Sequence, residues 1–344
     1  NENSIMKTHV SNILSDHFSF YPIILSPFRF IFQTYTLIIF QNFFILFGAI
    51  GIYKLIKYIS ENNLFSLIST FYFLSFWGIF SASVGDFHNS VVATMFIPWF
   101  FLALLKKNNR SIILWTAIIL IGKESMSIWL LFIFIGFGIY KIKDKYYRII
   151  TILGIVITIS YFLIVTNILM PYLSGNNKMY SHTSYYNMGN TIFDILNYIF
   201  QNPIQIIKML FLNHTEFSYN NLLKAEMYIY FLISGGVFLF FRPYYLIMLI
   251  PIFLQKVLNM SPDKWGIDNH YNIEFAPIII ICTSILIFET YNAKKAVVLL
   301  LIISFISLSL TFFSFNNRLT NKHQSIYLSI FSKLIITLML FMVE

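Results

Sequence analysis

The chain has 344 residues, is 58% hydrophobic and 19% aromatic, and carries charge on only 11% of its positions. A mean hydropathy of +0.74 excludes an ordinary soluble domain. The net charge of +9 sits largely in short loops on one side, which membrane orientation explains better than a nucleic-acid partner.

Repeated apolar runs of near-spanning length predict an all-α, polytopic transmembrane bundle of about ten apolar segments, one integral-membrane domain over residues 1–344. Residues 1–19 are polar and predicted outside the membrane. Residues 20–32, with Pro22, Pro27 and Arg29, suit the interface, so 1–33 reads as an external loop with an interfacial continuation. Runs at 34–53, 64–81 and 91–105 are predicted to cross in turn. Lys54 and Lys57 follow the first, Gly85-Asp86-Phe87-His88 the second, and Lys106, Lys107 and Arg110 the third.

The stretch 111–140 is apolar apart from Lys123 and Glu124, and both of its flanks are basic. One straight span would put those flanks on opposite faces, whereas a hairpin of two short helices puts both in the cytoplasm. Each arm would be roughly 18–24 Å long, less than the ~30 Å hydrocarbon core. The Lys123-Glu124 tip then lies below the outer surface, where charges need water or each other.

Beyond the hairpin, 149–170 is predicted to cross outward, and 171–227 forms an external segment with an amphipathic stretch near 192–212. Runs at 228–241, 244–259, 273–290 and 296–313 cross in alternation, and 325–342 is a candidate last span. Cys282 is the only cysteine, so the chain has no intrachain disulfide and no Cys/His zinc spacing.

These assignments segregate the charges. Lysines and arginines of the short loops collect on one side. Asp16, His17, Asp86, His88, the Lys123-Glu124 tip, His182, His270 and Glu274 collect on the other. In an extended loop Asp86 and His88 point the same way, a pair suited to acid/base work or to a divalent metal, although Asp86 or Asn89 could equally cap the following helix. Asp16-His17 is either a second such pair or a solvated loop. Lys123-Glu124 is either part of the site or an internal ion pair, and Tyr271 beside His270 is either a ligand or interfacial belt chemistry.

Four motifs in order resemble the DUF2079 family of predicted membrane proteins. They are Asp16-His17-Phe18-Ser19 with Pro22 and Pro27, ahead of a span with Gln41 and Gly48; Asp86-Phe87-His88; Lys123-Glu124-Ser125; and His270-Tyr271 with Pro277. Asn89 stands where the family usually has proline, and Ser125 where it has a second acid. The resemblance implies a fold of the GT-C glycosyltransferase type, with an extracytoplasmic active site in the cell membrane and a polyprenyl-phosphate-linked sugar donor. It implies that Asp86 or Asp16 takes the acceptor's proton, and that His17, His88, Lys123, Glu124, His270 and Tyr271 bind substrate or lipid phosphate. It also implies that the chain starts inside the family's first external loop, as a fragment without the first span. Two other classes fit the same charges: a transporter or flippase with an ion relay, and a non-catalytic lipid-binding membrane protein.

Overall fold

A computed structural model describes residues 13–174, 185, 188–189, 192–215, 222–267 and 270–318, all helix, turn or loop. The 325–342 segment, His182 and Asp268 lie outside the described residues. Four helices are long and apolar enough to cross a membrane, or five if one bent pair counts as a span; the other apolar helices are shorter. The chain thus has fewer full-length spans among its described residues than the ten apolar segments of its sequence suggest, because several segments are half-helices.

An entry segment of short helices ends at Gln33, whose φ of 50° breaks the chain before α1 (Thr36–Ser60). Its Ile24, Phe30 and Ile31 side chains are exposed, as an interfacial segment requires. The next two elements, α2 (Asn63–Leu74) and α3 (Trp77–Val84), correct the single span expected at 64–81, since they meet at a 53° bend. A bend inside a membrane frees backbone groups that water cannot satisfy. Here Thr311 donates to the Ser75 carbonyl at 3.0 Å, and the Ser75 hydroxyl donates to the Tyr72 carbonyl at 3.0 Å.

Helix α4 (Asn89–Leu105) leads to the hairpin. Its arms are α5 (Asn109–Leu120) and α6 (Met126–Tyr140), with the turn at 121–125. The two basic flanks touch: Lys107 pairs with Asp144 at 2.7 Å, and the Tyr146 hydroxyl donates to Asn109 at 2.6 Å. Both ends of 111–140 therefore lie at one end of the bundle, and the Lys123-Glu124 tip at the other. Helix α7 (Lys145–Ile164) follows, continuing to Leu173.

The amphipathic stretch forms α8 (Ile192–Gln201) and α9 (Pro203–Phe211), with Phe200, Ile204, Ile207 and Phe211 exposed. The buried Lys224 ammonium closes the end of α9, donating to the carbonyls of Met209 and Leu212. The span expected at 228–241 is also interrupted. It consists of α10 (Leu223–Ile233), a Ser234-Gly235 turn, and a 3-10 helix over Gly236–Phe241. The turn packs on the first bend: Tyr72 donates to the Ser234 carbonyl and the Trp77 indole to the Ser234 hydroxyl at 3.0 Å. Helices α11 (Pro243–Val257), α12 (Phe275–Thr290) and α13 (Ala293–Arg318) complete the bundle. Helix α11 packs along α6, where the Trp129 indole donates to the Met248 carbonyl at 3.0 Å.

Gly235 has a φ of +102°, and an added Cβ would meet the Tyr72 hydroxyl. Gly235→Ala should therefore lower stability by at least ~1–2 kcal/mol from backbone strain alone. Gly85→Ala should cost less, since its Cβ would approach no closer than 3.5 Å to the Ser81 carbonyl. Thermal unfolding of the two detergent-solubilised variants checks the ordering.

Candidate functional site

The predicted residues gather at the end of the bundle opposite the basic loops, in two connected parts. The first is a clamp on the hairpin tip. Glu124 is fully buried and accepts from His17 Nδ1 at 3.0 Å through one oxygen and from the Phe18 backbone N–H at 3.1 Å through the other. Two further bonds join the same segments: Phe20 N–H donates to the Ile121 carbonyl at 3.0 Å, and the Tyr21 hydroxyl to the Ile118 carbonyl at 2.7 Å. Burial would raise the Glu124 pKa, but the His17 hydrogen bond and the charges of His17 and Lys123 hold it down at about 2. The sequence offered His17 and Glu124 as substrate ligands; in the structure they hold each other.

The second part is a polar cavity of about 30 Å³, room for a water or two. Lys123, Lys256, Lys264, His270, Tyr271 and Glu274 line it. Lys123 and Lys264 form no ion pair among the described residues. Lys256 donates to the Gly266 carbonyl at 3.1 Å. Burial, opposed by Asp263 and reinforced by the charge of Lys123, pulls the Lys264 pKa below the ordinary lysine range. Glu274 is 8% exposed, and its Oε2 has no hydrogen-bond partner. Among the described lining residues, Lys123 and Lys264 stand outside any ion pair, a setting for an anion.

The Asp86-His88 loop joins this cavity through a ring contact, with His88 stacked on His270 at a centroid distance of 3.2 Å. Two features bring the loops together. Gln41, fully buried on α1, donates to the carbonyls of Ala82 (2.9 Å) and Asp86 (3.3 Å) and accepts from the His88 N–H (2.7 Å). Helix α3 lies against the His270–Asn272 turn, where Gly78 permits contact: an added Cβ would sit 2.6 Å from the Asn272 carbonyl oxygen. The Asp86 side chain is exposed and makes no hydrogen bond or ion pair. His88 precedes the helix at Asn89, and no side chain caps that helix. Asp16 is exposed, on the entry segment next to His17, and does not line the cavity. Among the described residues no three His, Cys, Asp or Glu side chains group to hold a metal ion, so Asp86 and His88 lack a third donor of those types.

Gln41, Lys256, Lys264 and Glu274 were not among the expected site residues. In the sequence Gln41 figures only as part of the span that follows the first family motif, and Glu274 only among the acids and histidines sorted to one side. Nothing in the sequence pattern singled out Lys256 or Lys264; the fold brings them to the cavity that Lys123 lines.

Two outcomes follow. Gln41→Leu should strip three hydrogen bonds from the 82–88 backbone, at ~1–3 kcal/mol for each buried group left unpaired, and speed amide exchange at His88. For His88, burial and then the charge of Lys123 outweigh Asp86 and lower the pKa from 6.5 to about 4. The folded protein therefore binds this proton less readily than the unfolded chain, and stability falls as pH drops from 6.5 through 4. The loss should reach ~1–2 kcal/mol after discounting for solvent screening of this half-exposed ring. His88→Gln should reduce that slope between pH 6.5 and 4.5 without abolishing it, because buried His270 contributes in the same window; unfolding scans at stepped pH measure it.

Comparison with known proteins adds a family. No curated protein and no solved structure matches the chain. The family model described as "Predicted membrane protein (DUF2079)" matches residues 2–335. The chain belongs to the DUF2079 family of predicted membrane proteins.

Proposed function

We propose that this protein is a membrane glycosyltransferase of the GT-C type, moving a sugar from a polyprenyl-phosphate donor to an acceptor hydroxyl on the extracytoplasmic face of the cell membrane. The observation that carries the proposal is the convergence of Lys123, Lys256 and Lys264 on one cavity with His270, at the end away from the basic loops. By the positive-inside rule that end is extracytoplasmic. A lipid-linked phosphate presents its charge at that depth, beside the exposed apolar entry segment and helices α8 and α9.

In this reading the acceptor oxygen attacks the sugar's anomeric carbon, and the bond from that carbon to the phosphate oxygen breaks. The phosphate leaves with the electron pair, and the cavity lysines stabilise its growing charge. Asp86, whose carboxylate is unengaged, takes the acceptor's proton. Neutral His88 and His270 wall the site, and Tyr271 lines the phosphate's approach. His17 and Glu124 act indirectly, by fixing the tip that carries Lys123. Asp16 is the second candidate acid, placed by the same clamp.

One observation favours a second reading, a transporter. Two interrupted helices, α2–α3 and α10 with its 3-10 continuation, meet at their breaks, as in transporters built from discontinuous helices. Hydroxyls occupy freed carbonyls there: Thr311 that of Ser75, Tyr72 that of Ser234 and Thr283 that of Gly235. That leaves the breaks better suited to structure than to an ion site.

The test is sugar transfer in vitro from a panel of polyprenyl-phosphate sugars, using the full-length protein. Asp86→Asn should lower kcat by roughly 10²–10⁴-fold, the usual range for a general base. Lys123→Gln should lower kcat/KM. Equal transfer by wild type and Asp86→Asn removes Asp86 from the chemistry. No transfer across the panel, with substrate flux in proteoliposomes, would establish the transporter instead.

A further inference from the structure

A cavity larger than the polar one lies at the other end of the bundle. It measures about 400 Å³, within the range of small-molecule sites between helices. Its floor is apolar, formed by Leu55 of α1, Phe101 of α4, Phe137 of α6 and Ile281 and Ile285 of α12. Its rim is charged and aromatic, with Lys107, Lys141, Asp144 and Glu289. These charges belong to the basic loops, so the mouth opens at the surface that the positive-inside rule assigns to the cytoplasm.

Arg242, just outside the lining, adds a third cation to the rim's two lysines and two carboxylates. Asp144 is engaged by Lys107 at 2.7 Å, and Glu289 by Arg242. Lys141 forms no ion pair among the described residues; its ammonium lies 4.0 Å from the centroid of the Tyr140 ring. Deeper in, Tyr245 also lines the cavity, is 2% exposed, and its hydroxyl makes no hydrogen bond. A hydroxyl that faces the cavity with no partner in the protein is free to donate to a ligand that enters. The site therefore offers an apolar slot, one internal donor and, at the mouth, a lysine outside any ion pair among the described residues.

We propose that this cavity binds one anionic phospholipid of the cytoplasmic leaflet. One acyl chain fills the apolar floor, an ester oxygen accepts from the Tyr245 hydroxyl, and the phosphate meets Lys141. The apolar floor selects a lipid over a free anion, and Lys141, outside any ion pair among the described residues, selects an anionic headgroup over a zwitterionic one. The site is independent of the extracytoplasmic chemistry, since it lies beyond the opposite end of the hairpin.

The test uses delipidated full-length protein, native mass spectrometry and three probes: dioleoyl phosphatidylglycerol, phosphatidylcholine with the same chains, and inorganic phosphate. Wild type should retain one phosphatidylglycerol, at least 5-fold more tightly than phosphatidylcholine. Lys141→Gln, a change at the rim, should abolish that preference with no change in melting temperature. Ile285→Trp, which fills the floor, should weaken both lipids at least 10-fold. Equal preference in wild type and Lys141→Gln would overturn the headgroup assignment. Unchanged lipid binding in Ile285→Trp would overturn the cavity, and so would displacement of the lipid by inorganic phosphate alone. Should Ile285→Trp fail to fold, Lys141→Gln decides.

Discussion

A carboxylate with no exposure at the turn of two apolar helices has to be paired, and the end of this protein opposite the basic loops is organised around how Glu124 is paired. Neither oxygen is left over. One takes His17 and the other the Phe18 N–H, so the charge draws the entry segment onto the hairpin tip. That segment then continues into the exposed interfacial helices and α1, which carries Gln41. Gln41 in turn fixes the Asp86-His88 loop. A chain of local requirements, each a buried polar group seeking a partner, thus runs from the tip to the loop. Lys123, one residue from the clamp, is left to face the cavity.

The same rule governs the interior. Half-helices are costly in lipid because their ends expose backbone groups, and this bundle contains several. It satisfies them with serine, threonine and tyrosine hydroxyls. The short elements leave loops at depth on one side, where the polar cavity forms, and a wide slot between helices on the other. Both features follow from segments too short to span.

Much of this was legible in the sequence. Basic flanks on both sides of 111–140 implied a hairpin, and the contact of Lys107 with Asp144 bears that out. The sorting of acids and histidines to one side anticipated the stacking of His88 on His270. The interruptions at Ser75 and Ser234 were not legible, because an apolar run reads the same whether continuous or bent. Hydropathy averages over the very residues whose hydroxyls stabilise the bend. Nor did the sequence distinguish Glu124 as a clamp from Glu274 as a cavity acid. Each is an isolated carboxylate in an apolar context, and only tertiary neighbours separate their roles.

The central claim is that the Glu124 clamp, by tying the entry segment to the hairpin tip, fixes the tip where it faces the polar cavity. Cysteines at Ser125 and Lys264, both lining the cavity, report it directly when Cys282 is replaced by serine. The account predicts rapid disulfide formation in the otherwise wild-type full-length protein and its loss when Glu124→Leu is added. Crosslinking that is absent from the start, or that persists at the same rate without Glu124, would contradict it.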